Sequence, residues 1–128
     1  MNRRTMLVGV ALLALAACTT QPIRNVTDAP VVTGSGKAAT ADQVRAAIVG
    51  AGTGLGWTMT PTEPGLVVGR LMLRGHTAVI DVRYTPKSYS IQYKDSIELN
   101  YKDGQIHRNY NGWIENLDRD IRGNLLAI

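Results

Sequence analysis

The chain has 128 residues, a formal net charge of +4 and a single cysteine. That length suits one small domain, and one cysteine excludes a disulfide framework, so the domain must fold by packing alone. Removing residues 1 to 17 takes two of the fourteen Lys+Arg and no acid. The remainder, with twelve basic and ten acidic residues, is close to neutral and gives no reason to expect a nucleic-acid partner, which needs a clustered basic face.

Arg3 and Arg4 precede an apolar run from Met6 to Ala17. A positive stretch followed by a short apolar run is the pattern of a secretory signal, and the run falls short of the about 20 residues that span a bilayer. It ends in Leu15-Ala16-Ala17-Cys18, which resembles a bacterial lipobox. In that reading residues 1–17 are a lipoprotein signal peptide, Cys18 is lipidated, and the chain is anchored in the cell envelope facing the periplasm. Thr19 stands where an aspartate favours retention at the inner membrane, so the outer membrane is the expected address. Nothing beside Cys18 supplies a base for a catalytic thiol. The twin-arginine export motif fits poorly after Arg4, and the general route is favoured.

Residues 18–38 are rich in Thr, Pro, Gly and Ser without a sustained period and read as a flexible tether. The folded domain is then 39–128. Thr40 and Gln43 form a capping box, and Val44, Ala47, Ile48 and Ala51 recur at helical spacing, which predicts a helix over 41–51. The glycines of "GAGTGLGW" close this helix and lead into a strand. A phosphate-binding loop has the opposite order, so these glycines read as a cap and a turn.

Strand patterns follow in "WTMT", "LVVGRLMLR", "HTAVIDVRY" and "SYSIQYKD", the second and third joined by a tight turn at Arg74-Gly75. Residues 96–105 are compatible with a fifth short strand or with a loop holding one helical turn. In the last segment Asn109 or Asn111 can cap a helix, and Trp113, Leu117, Ile121 and Leu125 form its apolar stripe. The expected fold class is α+β: an antiparallel meander of four to five strands with an N-terminal and a C-terminal helix packed on one face.

The lipobox, "GTGLGW", "SYSIQYKDS" and "IHRNYNGWIENLDRDI" together resemble a group of small uncharacterised proteobacterial lipoproteins. The likeness spans roughly residues 40–122. It implies an envelope protein with an α+β domain and brings no catalytic residues with it.

No metal or nucleophile motif occurs, and no cofactor is expected. The sequence "HRNYN" concentrates His107, Arg108 and Tyr110 before a helix. There Tyr110 either plugs the domain edge beside capping asparagines, or the cluster docks a partner, or it is catalytic. The aromatic residues share phase with the isoleucines and are expected in the core rather than on a glycan platform. Arg70, Arg74, Arg83, Lys94 and Lys102 are expected on the polar sheet face, where a basic patch could meet acidic lipid groups or a protein loop. The candidate binding residues are therefore Arg70, Arg74, His107, Arg108 and Tyr110. The expected function is a non-enzymatic periplasmic binding or assembly module for an envelope protein; the alternative is a domain that binds a small ligand or a glycan such as peptidoglycan.

Overall fold

The computed structural model describes residues 19–128. Cys18 and residues 1–17, on which the anchor reading falls, lie outside the described residues. In chain order the elements are β1 (Thr20–Pro22), β2 (Val26–Pro30), α1 (Ala41–Gly54), β3 (Thr58–Glu63), β4 (Leu66–Leu73), β5 (His76–Tyr84), β6 (Ser88–Ile97), β7 (Gln105–His107) and α2 (Arg108–Leu126). The protein is α+β: the described residues form a five-stranded antiparallel sheet in the order β2-β6-β5-β4-β3, a second pair β1-β7, and two helices.

Alternation along the strands gives the sheet one apolar face. Val67, Leu71, Ala78, Ile80, Val82, Tyr89 and Ile91 bury on it together with Val44, Ile48, Leu117 and Ile121 of the helices, in one core. Each such Leu, Ile or Val taken out of water contributes about 1.5–3 kcal/mol before entropy is charged against it. Neither of the two described helices covers the other sheet face. The capping box is formed, with Thr40 Oγ1 accepting from Gln43 N–H at 3.1 Å and Gln43 Oε1 accepting from Thr40 N–H at 3.0 Å.

Two glycines set how closely the layers approach. A Cβ on Gly52 would collide with the Met59 side chain, and one on Gly69 would lie 2.9 Å from Ile80 Cγ1 and 3.1 Å from Met59 Sδ. The Met59 thioether therefore occupies the space that both residues vacate. Gly52 and Gly54 remain helical, which extends α1 beyond the expected end at residue 51, and the chain reverses at Gly56 with φ 91°.

The segment read as a flexible tether is part of the fold. β1 pairs with β7, placing Thr20 opposite His107 and Pro22 opposite Gln105, and β2 adds an edge strand beside β6. Ile23, Val26, Ala29 and Val31 pack against the core. Asn111 of α2, itself buried, fixes the connection: its Oδ1 accepts from Arg24 N–H at 2.9 Å and its Nδ2 donates to the Pro22 carbonyl at 3.0 Å. The apolar residues are spaced irregularly because the β2–β6 register slips between Val26 and Ala29, around Asp28 at φ 49°. A bulge of this kind erases the two-residue period by which a strand is recognised.

Two smaller corrections concern the chain before α2. Residues 98–104 form no strand: Glu98 and Asn100 adopt positive φ, Leu99 is buried, and the short strand is β7, paired with β1 rather than with the main sheet. The cap of α2 is His107, one turn earlier than Asn109 or Asn111 would place it, and Asn109 donates its N–H to His107 Nδ1. Both edges of the main sheet are blunted, β2 by its bulge and Pro30, β3 by Pro61 and a register shift before Glu63. Such edges resist pairing with another chain.

Candidate functional site

The structure separates the five residues expected to bind. Tyr110 is 0 % exposed, with its ring edge-on to Tyr93 at 5.8 Å. It belongs to the core and cannot meet a ligand, which corrects its place among the binding residues. Burial raises its pKa, and a phenol so enclosed stays neutral. Arg70 lies on the open sheet face between Thr58 and Val79, whereas Arg74 is at the β4–β5 tip with φ 52°.

His107 and Arg108 stand at the start of α2. The His107 ring stacks near His76, centroids 6.3 Å apart, and the His76 Nδ1 lies 2.7 Å from the Glu98 carbonyl. A carbonyl only accepts, so His76 carries its proton on Nδ1; His107 accepts an N–H at Nδ1 and carries its proton on Nε2 when neutral. Arg108 is exposed, and its backbone N–H donates to the Thr19 carbonyl at 3.0 Å.

The expected basic face is broken up. Lys94 forms an ion pair with Asp81 at 3.4 Å. Lys102 bridges Gln105 in the turn before β7, away from the main sheet. What remains on the face is Arg70 and Arg83, separated along the strands and interleaved with Thr, Ser and Val. Among the described residues no group of three or more His, Cys, Asp or Glu comes together to hold a metal ion.

A better-formed site lies where sequence reasoning placed nothing. β2 and the residues after it run alongside the last turns of α2, leaving a groove of about 440 Å³ lined by Ala29, Pro30, Val32, Tyr89, Leu125 and Leu126 on its apolar walls. Val32 and Leu126 form its rim, 55 % and 54 % exposed. At the polar end, Tyr89 O–H donates to Asp118 Oδ1 at 2.5 Å, and Arg122 Nε lies 3.6 Å from Asp118 Oδ2. Burial, followed by the hydrogen bond and charge of Asp118, raises the Tyr89 pKa, so its proton stays in place.

The Asp118 side chain is 13 % exposed and that of Arg122 is 61 % exposed. The carboxylate is consumed internally, and the guanidinium keeps donors free at the rim. The groove can take an apolar side chain and offer one cation beside it.

Asp118 and Arg122 announced themselves only as an i,i+4 pair on a helix, a pattern that ordinarily marks a solvated face. The opposite wall comes from the segment taken for a tether, so the groove had no sequence signature. The fold and this site define a small α+β domain with an apolar groove and blunted sheet edges. Family models, curated proteins and solved structures yield no match to the chain, so its own geometry carries the functional reading.

Proposed function

We propose that the chain is a lipid-anchored protein of the cell envelope, acylated at Cys18 and periplasm-facing at the outer membrane, whose domain is a non-enzymatic binding and assembly module for an envelope protein. The observation that supports it is the groove. An open apolar trough with exposed rim residues and an exposed guanidinium suits an apolar side chain on an acidic or polar protein segment. A glycan platform would need exposed aromatic faces, yet Tyr84, Tyr89 and Tyr110 are buried, and the exposed Tyr101 stacks on Tyr93 at 4.3 Å. A deep pocket lined by His107, Tyr110 and a carboxylate would favour a small-ligand reading, and the buried side chain of Tyr110 does not support it.

Site-specific photocrosslinking in cells tests the proposal. A photoreactive residue at Val32 or Leu126 should give a discrete protein adduct that one at Arg83, on the open sheet face, does not. Replacing Leu125 by Asp should remove the adduct, with folding checked by circular dichroism. Adducts equal at all three positions, or none, refute the groove as the binding face. Metabolic labelling with palmitate tests the anchor separately, since Cys18→Ser should abolish it.

A further inference from the structure

The large apolar side chains exposed among the described residues gather mainly at two places. Val32 and Leu126 rim the groove. Met72, Leu73 and Ile97, exposed by 68, 44 and 54 %, lie at the far end of the sheet. Register places Met72 opposite Thr77, Thr77 opposite Ile97, and Leu73 opposite His76, so the three surround one end of the β4–β5 hairpin. Arg74 and Gly75 make its tip. Below it, Leu71, Met72 and Leu73 share a recess with Leu55, Trp57 and the half-buried Trp113.

The described chain begins at this same pole. Thr20 pairs with His107, the Thr19 carbonyl accepts from Arg108, and the His107 ring stacks with His76, whose strand partner is Leu73. One peptide bond joins Cys18 to Thr19, and it separates their Cα atoms by about 3.8 Å. Since Thr19 is already hydrogen-bonded to α2, no slack chain intervenes.

We propose that this pole is the face by which the domain sits on a phospholipid leaflet, with Met72, Leu73 and Ile97 entering the boundary between headgroups and acyl chains. The inference rests on the lipid-anchor reading of Cys18: an acyl group there brings the leaflet to the pole that Thr19 occupies. Apolar side chains beside cations are what an interfacial surface presents, and Trp113 stands at the edge where indoles partition. Arg74 and Arg108 face the phosphates. The neighbouring loop carries two acids, Glu98 and Asp103, so the apolar row contributes more than net charge does.

The test uses the lipidated protein in vesicles of phosphatidylethanolamine and phosphatidylglycerol. Cys18 is the sequence's one cysteine and its thiol is consumed by the thioether, which leaves an introduced cysteine as the sole reactive thiol. An environment-sensitive dye on Leu73→Cys or Ile97→Cys should show blue-shifted emission and quenching by a nitroxide on the lipid acyl chain. The same dye on Lys87→Cys, in the turn between β5 and β6 at the opposite pole, should show neither. Dyes at 73 and 97 that remain in water on an acylated chain overturn the seating alone. A shielded dye that lipid nitroxide does not quench assigns the patch to a protein, either a second copy or a partner, and overturns it too. The mass of the N-terminal peptide reads acylation independently, and a chain without the lipid overturns the anchor together with the seating.

Discussion

Tyr89 and Tyr110 are 1 % and 0 % exposed, and burial raises the pKa of both, yet removing their hydroxyls should have opposite consequences. Tyr89 O–H donates to the Asp118 carboxylate, whereas Tyr110 Oη has no hydrogen-bond partner among the described residues. A hydrogen bond to a charged acceptor contributes about 1.5–3 kcal/mol net, and Tyr89→Phe also leaves Asp118 with only Arg122, an exposed cation whose pairing is worth under about 1 kcal/mol. Tyr89→Phe should therefore cost about 1–3 kcal/mol. Tyr110→Phe keeps the ring against Tyr93 and deletes an unsatisfied polar atom, so it should be neutral or stabilising by up to about 1 kcal/mol. For a domain of this size 1 kcal/mol corresponds to about 4 °C in Tm. Urea unfolding of the Cys18→Ser protein at pH 7, monitored by tryptophan fluorescence, measures both. The pH dependence follows from the same two groups. Because the folded phenols hold their protons more tightly than unfolded tyrosine, whose pKa is 10.0, their contribution is whole below pH 10 and is lost as pH rises beyond it. Tyr110→Phe should flatten that alkaline decline. A Tyr110→Phe protein destabilised by more than 1 kcal/mol, with the decline unchanged, would refute the assignment.

Asn111→Ala should release the segment from Thr20 to Arg24 by removing its anchoring hydrogen bonds, at a cost of about 1–3 kcal/mol. Hydrogen exchange should show the Arg24 amide opening first, and unchanged protection there would contradict the pinning. Gly123 lies inside α2 with nothing within 4 Å of an added Cβ, so Gly123→Ala should stabilise by about 0.5–1 kcal/mol in thermal unfolding. Gly34→Ala should do the reverse, because its Cβ would collide with the Leu126 backbone carbonyl at the groove rim, and equal Tm values for the two variants would count against this packing.

The parts of the fold legible in the sequence are those where one period runs unbroken. β4, β5 and α2 show their apolar faces directly, and the Thr40–Gln43 box marks the start of α1 through hydrogen bonds local in sequence. β2 was hidden because the bulge at Asp28 and the prolines at 22 and 30 are turn signals in isolation, and only the neighbouring β6 makes a strand of them. His107 was hidden as a cap because its imidazole does the work that asparagine does elsewhere, two and four residues before two better candidates. For the site, the sequence located the charged residues and could not pair them: Lys94 with Asp81, or Asp118 between Tyr89 and Arg122, depends on register and helix rotation. Arg74, His107 and Arg108 do lie at one pole, as the local cluster suggested for the latter two, but Tyr110 follows the helical phase inward, three residues after His107.

Docking of residues 20–30 alters what an anchor at Cys18 would accomplish. A tether of some twenty flexible residues would let the domain range over roughly 25 Å. With Thr19 hydrogen-bonded to Arg108 and Thr20 paired to His107, an acyl group on Cys18 would instead hold the domain in one stance. β5 runs its nine residues from His76, at the Thr19 pole, to Tyr84, which pairs with Tyr89 beside the groove. At about 3.3 Å per residue the groove lies roughly 25 Å from the pole that Thr19 occupies. Under the proposed anchoring, a partner fixed in the envelope at that height would meet a preset surface, and the entropy of orienting the domain would already be spent. Inserting a twelve-residue Gly-Ser segment between Cys18 and Thr19 should leave palmitate labelling and unfolding midpoint unchanged while adding about 20 Å of r.m.s. freedom. The photocrosslink from Leu126 should then fall severalfold. An undiminished crosslink would mean that the partner follows the domain, and the fixed stance would have no part in binding.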